Sequence, residues 1–401
     1  MSIKRRLFYI VKYSFIVYSV YYIVGTLVLR LLKFFVKPDD KLILFSSFGG
    51  RKFDDSPKVL YELMLKDKRF GDYKLIWAFT NPDEVELSED RKIKCDTLNY
   101  YVTALKARAW ITNSSIERGL SFKGKNTFYF NTWHGTPLKK MGADISIDNQ
   151  SFKSKAKNCY DVFLVQGEYE ADIFSRVFTI EREKIRLIGL PRNDILIQYT
   201  NKYQLELREK LGIPVGKKVI LYAPTFREYE KTDDLECKLT VPMNLEYWKE
   251  RLGMDYILLF RAHYEVAKSM EITDDDFVRE MSAYPQLEDL MIVSDMLVSD
   301  YSSIFFDYSV MHKPMYCFAY DYERYASERG MYFDIRDYIS ATDNEVDLLS
   351  MLTKGNDFEA QEKSNVFQKK YVTAYGLATK LSIDIIAKEM GLFVSVPKQH
   401  I

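Results

Sequence analysis

The residues best suited to proton chemistry lie in residues 131–141, which read NTWHGTPLKKM. A β-rich apolar run, Thr127-Phe128-Tyr129-Phe130, leads out of a core into Trp133-His134-Gly135-Thr136-Pro137, where Gly and Pro end any regular element; Lys139 and Lys140 follow. A strand that delivers a His to its carboxyl edge, with a flexible Gly after it, is how α/β enzymes present a general base. A His satisfied within a turn is the plainer reading of the same residues.

Phosphate chemistry is suggested downstream. At residues 299–303, SDYSS, a strand passes through two hydroxyl residues, Ser302 and Ser303, into a helix. The free N–H groups and positive end of such a helix suit a phosphate, although plain helix capping uses the same residues. Arg227 follows a strand ending at Thr225, and Arg261 and His263 follow a strand ending at Phe260. From neighbouring strand ends, these side chains would offer charge-assisted donors to a diphosphate; ion pairs with Glu228 and Glu265 are the alternative. No GxxxxGK[ST] or strand-associated GxGxxG stretch occurs, which argues against ATP hydrolysis and dinucleotide redox, and there is no GxSxG elbow. His134, His263, His312 and His400 are too scattered for a metal motif, Asp274-Asp275-Asp276 reads as a solvated loop, and no cofactor is indicated.

The elements that must position these groups alternate from residue 39 onward: short apolar strands, then amphipathic helices of ten to fifteen residues. That pattern predicts α/β architecture with parallel, doubly wound sheets. Strands are expected around residues 42–45, 75–79, 110–112, 127–131, 162–165 and 185–190 in a first half. A second half is expected to hold strands around 219–222, 256–260, 296–298 and 314–318. The polar helix and turn over 196–216 divide the chain into 38–200 and 201–401, the second with a helical tail. Both halves place their unusual residues at strand carboxyl ends, where open α/β sheets bind ligands, so a cleft between two domains is expected.

The 401 residues give room for two cores. With 57 basic against 57 acidic residues there is no general affinity for nucleic acid, and any anion site is local. Four widely spaced cysteines without a CxxC fit a reducing, cytoplasmic setting. Residues 1–37 differ from the rest: after Lys4-Arg5-Arg6, residues 13–29 carry no charge, and Arg30, Lys33 and Lys37 follow. The run is at the short limit for crossing a bilayer. A helix seated in the cytoplasmic leaflet is favoured, with a single span or a buried structural helix as alternatives.

The sequence resembles the CDP-glycerol glycerophosphotransferase family, the teichoic-acid primases and polymerases and their capsule relatives. TWHGTPLKKMG (132–142), GLPRND (189–194), YAPTFR (222–227), RAH (261–263), SDYSSIFFDY (299–308) and, more loosely, residues 313–325 and 329–334 carry the resemblance, in order. It implies two facing Rossmann-like domains of GT-B type, 38–200 for the acceptor and 201–401 for the CDP donor. It also implies transfer of glycerol-phosphate or ribitol-phosphate from CDP-glycerol or CDP-ribitol to a hydroxyl of an undecaprenyl-diphosphate-linked glycan or growing chain at the membrane, with release of CMP. His134 falls on the family's catalytic base and His263 on its second essential His, although RAHY here departs from the usual RPHP-like continuation. By the same resemblance Arg227, Arg261, Asp300, Ser302 and Ser303 would hold the donor, and Gly135, Thr136 and Lys139 the acceptor or its phosphate. A GT-B glycosyltransferase using a nucleotide-sugar remains the alternative.

Overall fold

The computed structural model describes residues 14–145, 158–225, 227, 243–262, 272–353 and 357–392. Two parallel sheets face each other. The first contains β1 (Asp39–Ser46), β2 (Lys74–Phe79), β3 (Lys92–Lys94), β4 (Ala107–Thr112), β5 (Phe128–Asn131), β6 (Val162–Val165) and β7 (Ile185–Leu187), in the order β3-β2-β1-β4-β5-β6-β7. The second contains β8 (Lys218–Ala223), β9 (Tyr256–Phe260), β10 (Val278–Glu280), β11 (Met296–Ser299), β12 (Met315–Phe318) and β13 (Ser340–Thr342), in the order β10-β9-β8-β11-β12-β13. Each order reverses once, between β1 and β4 and between β8 and β11. Such reversals open crevices at the strand carboxyl ends.

The strands read as unbroken apolar runs because both faces are covered. On β1, Leu42 and Leu44 enter one core with Trp110 and Tyr129, while Ile43 and Phe45 enter the opposite one with Trp77 and Ile111. The second sheet divides likewise: Leu221 and Leu297 lie on one side, Tyr222 and Val298 on the other. This is the expected pair of Rossmann-like domains.

The helices that matter for the site are α1 (Phe15–Leu32), α2 (Asp55–Met64), α3 (Glu168–Phe178), α4 (Leu287–Val293), α5 (Ile304–Ser309), α6 (Asp357–Tyr371) and α7 (Ala378–Glu389). The tail, expected to stay with the second half, divides between the two. Phe367 of α6 packs in the second domain, whereas Ile383 and Ile386 of α7 pack with Leu60 and Trp77 in the first. Where the chain crosses, the Thr373 and Ala374 N–H groups donate to the Gln166 carbonyl at 2.8 and 3.0 Å. Gly167 leaves room for that crossing, since a Cβ there would collide with the Tyr371 carbonyl.

Helix α1 lies along residues 118–121 of the first domain. Tyr18 Oη donates to the Gly119 carbonyl (3.4 Å), Tyr21 Oη to the Arg118 carbonyl (3.1 Å) and Arg30 Nε to the Ser121 carbonyl (3.2 Å), and Thr26 Oγ1 accepts from the Ser121 N–H (3.2 Å). Its other face, including Ile16, Val20, Ile23, Leu27 and Leu31, stands exposed, as do Phe34 and Phe35 just beyond it.

Candidate active site

The strand ends of the two sheets enclose a cleft of about 450 Å³, lined among others by Phe48, His134, Lys139, Arg261, Ser302 and Ser303. His134 reaches it from the loop after β5. Its Nδ1 lies 2.6 Å from the Asn113 carbonyl oxygen, at the end of β4. A carbonyl only accepts, so Nδ1 carries the hydrogen and Nε2 keeps a lone pair. Trp133 stacks on the imidazole with centroids 4.2 Å apart, and its own backbone adopts φ 53°. That left-handed conformation is costly for a large side chain and is held by Asn131 Oδ1, which accepts from the Trp133 N–H at 2.8 Å. Burial lowers the His134 pKa from 6.5, against the opposing pull of the Asn113 carbonyl. The imidazole is therefore more firmly neutral at pH 7 than an unperturbed His.

The next residues place this loop on the second domain. Gly135 faces Ser303 so closely that a side chain would fit only if the serine gave way. Thr136, expected at the acceptor or phosphate, is instead fully buried behind the loop: its Oγ1 donates to Glu170 Oε2 at 2.8 Å and accepts from Gln166 Nε2 at 2.9 Å. Lys139 does line the cleft, with its ammonium 5.3 Å from the Tyr325 ring centre.

On the opposite wall, Ser302 and Ser303 precede α5, as expected, and both line the cleft. The helix has six residues, too short for much of a macrodipole. Any hold on an anion there then has to come from hydroxyls, backbone N–H groups and nearby cations. Ser302 Oγ accepts from the Ile304 N–H at 3.2 Å.

Arg261 supplies a cation. One end is fixed by Nη1, which donates to the Met281 and Tyr284 carbonyls at 3.0 and 2.5 Å, and the side chain lines the cleft. Burial lowers its pKa, and Asp54 and Glu288 oppose that shift. Arg227 and Asp300 depart from expectation: they form a buried pair behind the cleft wall. All five Arg227 N–H donors are used internally: Nε and Nη2 on Asp321, Nη2 also on Tyr320 Oη, and Nη1 on Asp300 and the Thr225 carbonyl, at 2.6 to 3.0 Å. Asp300 also accepts from the Thr225 N–H at 2.8 Å. The pair therefore holds the β8 loop in place and has no donor left for a phosphate. His263 lies outside the described residues.

Several groups in and around the cleft were not legible in the sequence. Asn113, which fixes the His134 tautomer, was visible only as part of a polar turn. Asp54 and Glu288 come from different domains, at α2 and α4, and meet only in the fold. Glu288 is pushed up to about 7, by burial first and by Asp54 next. Asp307, on α5, meets Arg192 across the domain boundary at 2.8 Å. Among the described residues, no group of three or more His, Cys, Asp or Glu is gathered as for a metal ion.

A neutral imidazole with an outward lone pair, opposite two serine hydroxyls and a guanidinium, is suited to deprotonating a hydroxyl beside a phosphorus centre. Comparison with known proteins identifies the family. The profile of the CDP-Glycerol:Poly(glycerophosphate) glycerophosphotransferase family matches residues 29–375. The chain is 33% identical over 353 residues to the teichoic acid glycerol-phosphate transferase of Staphylococcus aureus, covering 83% of this chain and 89% of that one. It is 35% identical over 313 residues to the teichoic acid poly(glycerol phosphate) polymerase of Staphylococcus epidermidis, covering 75% of this chain but only 43% of the polymerase. The solved wall teichoic acid polymerase TagF superposes with a TM-score of 0.82 at 30% identity, over 92% of this chain and 96% of that structure. A form of TagF soaked with CDPG superposes with a TM-score of 0.81. The chain belongs to the CDP-glycerol:poly(glycerophosphate) glycerophosphotransferase family.

Proposed function

We propose that this enzyme transfers glycerol-phosphate from CDP-glycerol to a hydroxyl of a lipid-linked glycan or growing chain in teichoic acid synthesis, with His134 as the general base. The observation that carries the reading is the His134–Asn113 contact, which leaves Nε2 as acceptor on the cleft side. The acceptor hydroxyl gives its proton to Nε2 as its oxygen attacks the phosphorus bearing glycerol. The phosphoanhydride bond breaks, and CMP leaves with the electron pair. Arg261 and the Ser302 and Ser303 hydroxyls stabilise the charge gathering on the phosphates. Lys139, at the mouth of the His134 loop, suits the anionic acceptor. We also assign His263, by the family pattern alone, to the donor diphosphate.

The same reading places α1 in the plane of the cytoplasmic leaflet, bringing the cleft to a lipid-linked acceptor. Its contacts with residues 118–121 run from Tyr18 to Arg30, about 18 Å along the helix. A helix crossing the bilayer would have to drag that polar segment into hydrocarbon or abandon it.

The test is nucleotide release by purified protein given CDP-glycerol or CDP-ribitol with a detergent-solubilised lipid-linked disaccharide. CMP formed from CDP-glycerol only when acceptor is present, and lost in His134→Ala, is the expected result. Near-normal turnover in His134→Ala removes the base assignment, and release only from CDP-ribitol reassigns the polyol.

A further inference from the structure

Asp307 belongs to the second domain, yet its donors come from the first. It lies 5% exposed on α5, one helical turn beyond Ser303. Oδ2 accepts from Arg192 Nη2 at 2.8 Å; Oδ1 accepts from Asn193 Nδ2 at 2.7 Å and from Gln166 Nε2 at 3.2 Å. Arg192 Nη1, in turn, donates to Asp55 Oδ2 at 2.6 Å, at the start of α2. Asn193 Nδ2 also reaches Gln166 Oε1 at 3.1 Å. From Gln166 Nε2 a bond of 2.9 Å runs to Thr136 Oγ1, two residues beyond His134. An unbroken chain of buried hydrogen bonds thus links the α5 end of the phosphate wall to the loop that carries the base.

We propose that Asp307 is a positioning residue, acting through Gln166 and Arg192 to set the register between the His134 loop and the Ser302–Ser303 turn. The inference rests on His134 being the base, and the chemistry explains why the register matters. The base must meet the acceptor oxygen while the serines meet the donor phosphate, so the two walls have to hold one spacing. An error on the order of 1 Å between reacting groups costs about 100-fold in rate. A buried carboxylate with three donors has directional bonds and little freedom to move, so it fixes both distance and angle between the domains. Contact of two apolar walls would allow sliding.

The test compares Asp307→Asn, Gln166→Met and the double variant in the full chain. For each, CMP release and amide hydrogen exchange are measured, with His134→Ala alongside. Asparagine sets an N–H against a donor, Arg192 on one side or Asn193 and Gln166 on the other; methionine keeps the shape of Gln166 and removes its donors. The expected result is a kcat loss of roughly 30-fold or more in each single variant, with KM for CDP-glycerol within about 3-fold. The double variant should lose little beyond the worse single one, because both break one chain of contacts. Exchange should rise in residues 131–138. A role confined to general stability would raise exchange across the whole second domain and leave kcat per folded molecule unchanged. That outcome, or additive losses, overturns the proposal. If Asp307→Asn fails to fold, Gln166→Met carries the same readouts. An active His134→Ala would refute the base assignment, while the exchange coupling between Asp307 and residues 131–138 would still be read on its own.

Discussion

Gly135 of the first domain and Ser303 of the second meet so closely that a Cβ on Gly135 would lie 3.0 Å from the Ser303 hydroxyl oxygen and 3.3 Å from its Cβ. The backbone of Gly135, at φ 155°, runs directly beside the proposed phosphate-binding hydroxyl. A side chain there must push the two walls apart or turn the serine away. Gly135→Ala should therefore lower kcat by at least about tenfold and shift the melting temperature by no more than a few degrees, since the contact is at the cleft and outside both cores. Steady-state CMP release and thermal melts check this; a normal kcat would mean that the walls move apart during turnover.

The pH profile follows from two shifted groups. His134 is depressed below 6.5, chiefly by burial, so the proposed base is more than half unprotonated at pH 6.5 and its acid limb falls below that value. Glu288, raised to about 7, gains charge in the cleft as the pH rises through neutrality. The profile of kcat/KM, which reports the free enzyme, should show an acid limb below pH 6.5 and a separate inflection near pH 7. Glu288→Gln should remove the inflection and leave the limb. A single limb above pH 6.5 that is indifferent to Glu288 would contradict both assignments.

Arg227 separates structure from binding. Its guanidinium sits between Asp300 and Asp321 and within about 5 Å of the Tyr320 and Tyr325 ring centres. Removing one member of such a buried pair costs about 3–5 kcal/mol because the remaining charge is stranded. Arg227→Ala should lower the melting temperature strongly. Arg227→Lys, which keeps the charge but loses the planar fork, should fall between. In the folded fraction, donor affinity measured by titration calorimetry should change little. A large affinity loss in Arg227→Lys at unchanged melting temperature would return Arg227 to the diphosphate.

These cases mark what was legible in the sequence. The long strands were, because an all-parallel sheet buries both faces and writes runs such as Leu42-Ile43-Leu44-Phe45. The edge strands β3, β10 and β13 were not: KIK, VRE and SAT are three residues each, and pairing with a neighbour makes them strands. That His134 reaches the cleft was legible from local chemistry, a strand end followed by Gly and Pro. Arg227 was placed correctly at a strand end, but whether it turned outward depended on Asp300 and Asp321, 73 and 94 positions away. The return of α7 to the first domain was hidden likewise, since its apolar stripe fits either core.

The proposed in-plane placement of α1 makes a prediction that a spanning helix does not. Leu27, Leu31, Phe34 and Phe35 are more than half exposed, on or beside the helix face turned away from residues 118–121. Full burial of one such side chain is worth about 1.5–3 kcal/mol, so replacing all four with Asn or Ser should weaken vesicle binding at least 100-fold. None of the four lines the cleft, so CMP release in detergent with a soluble acceptor should be unchanged. Orientation is read separately: an N-terminal tag on vesicle-bound protein should be cut by protease added from the side that carries the catalytic domains. A tag protected until the vesicles are opened would mean that the chain crosses the bilayer and that the contacts of Tyr18, Tyr21 and Arg30 are given up on insertion.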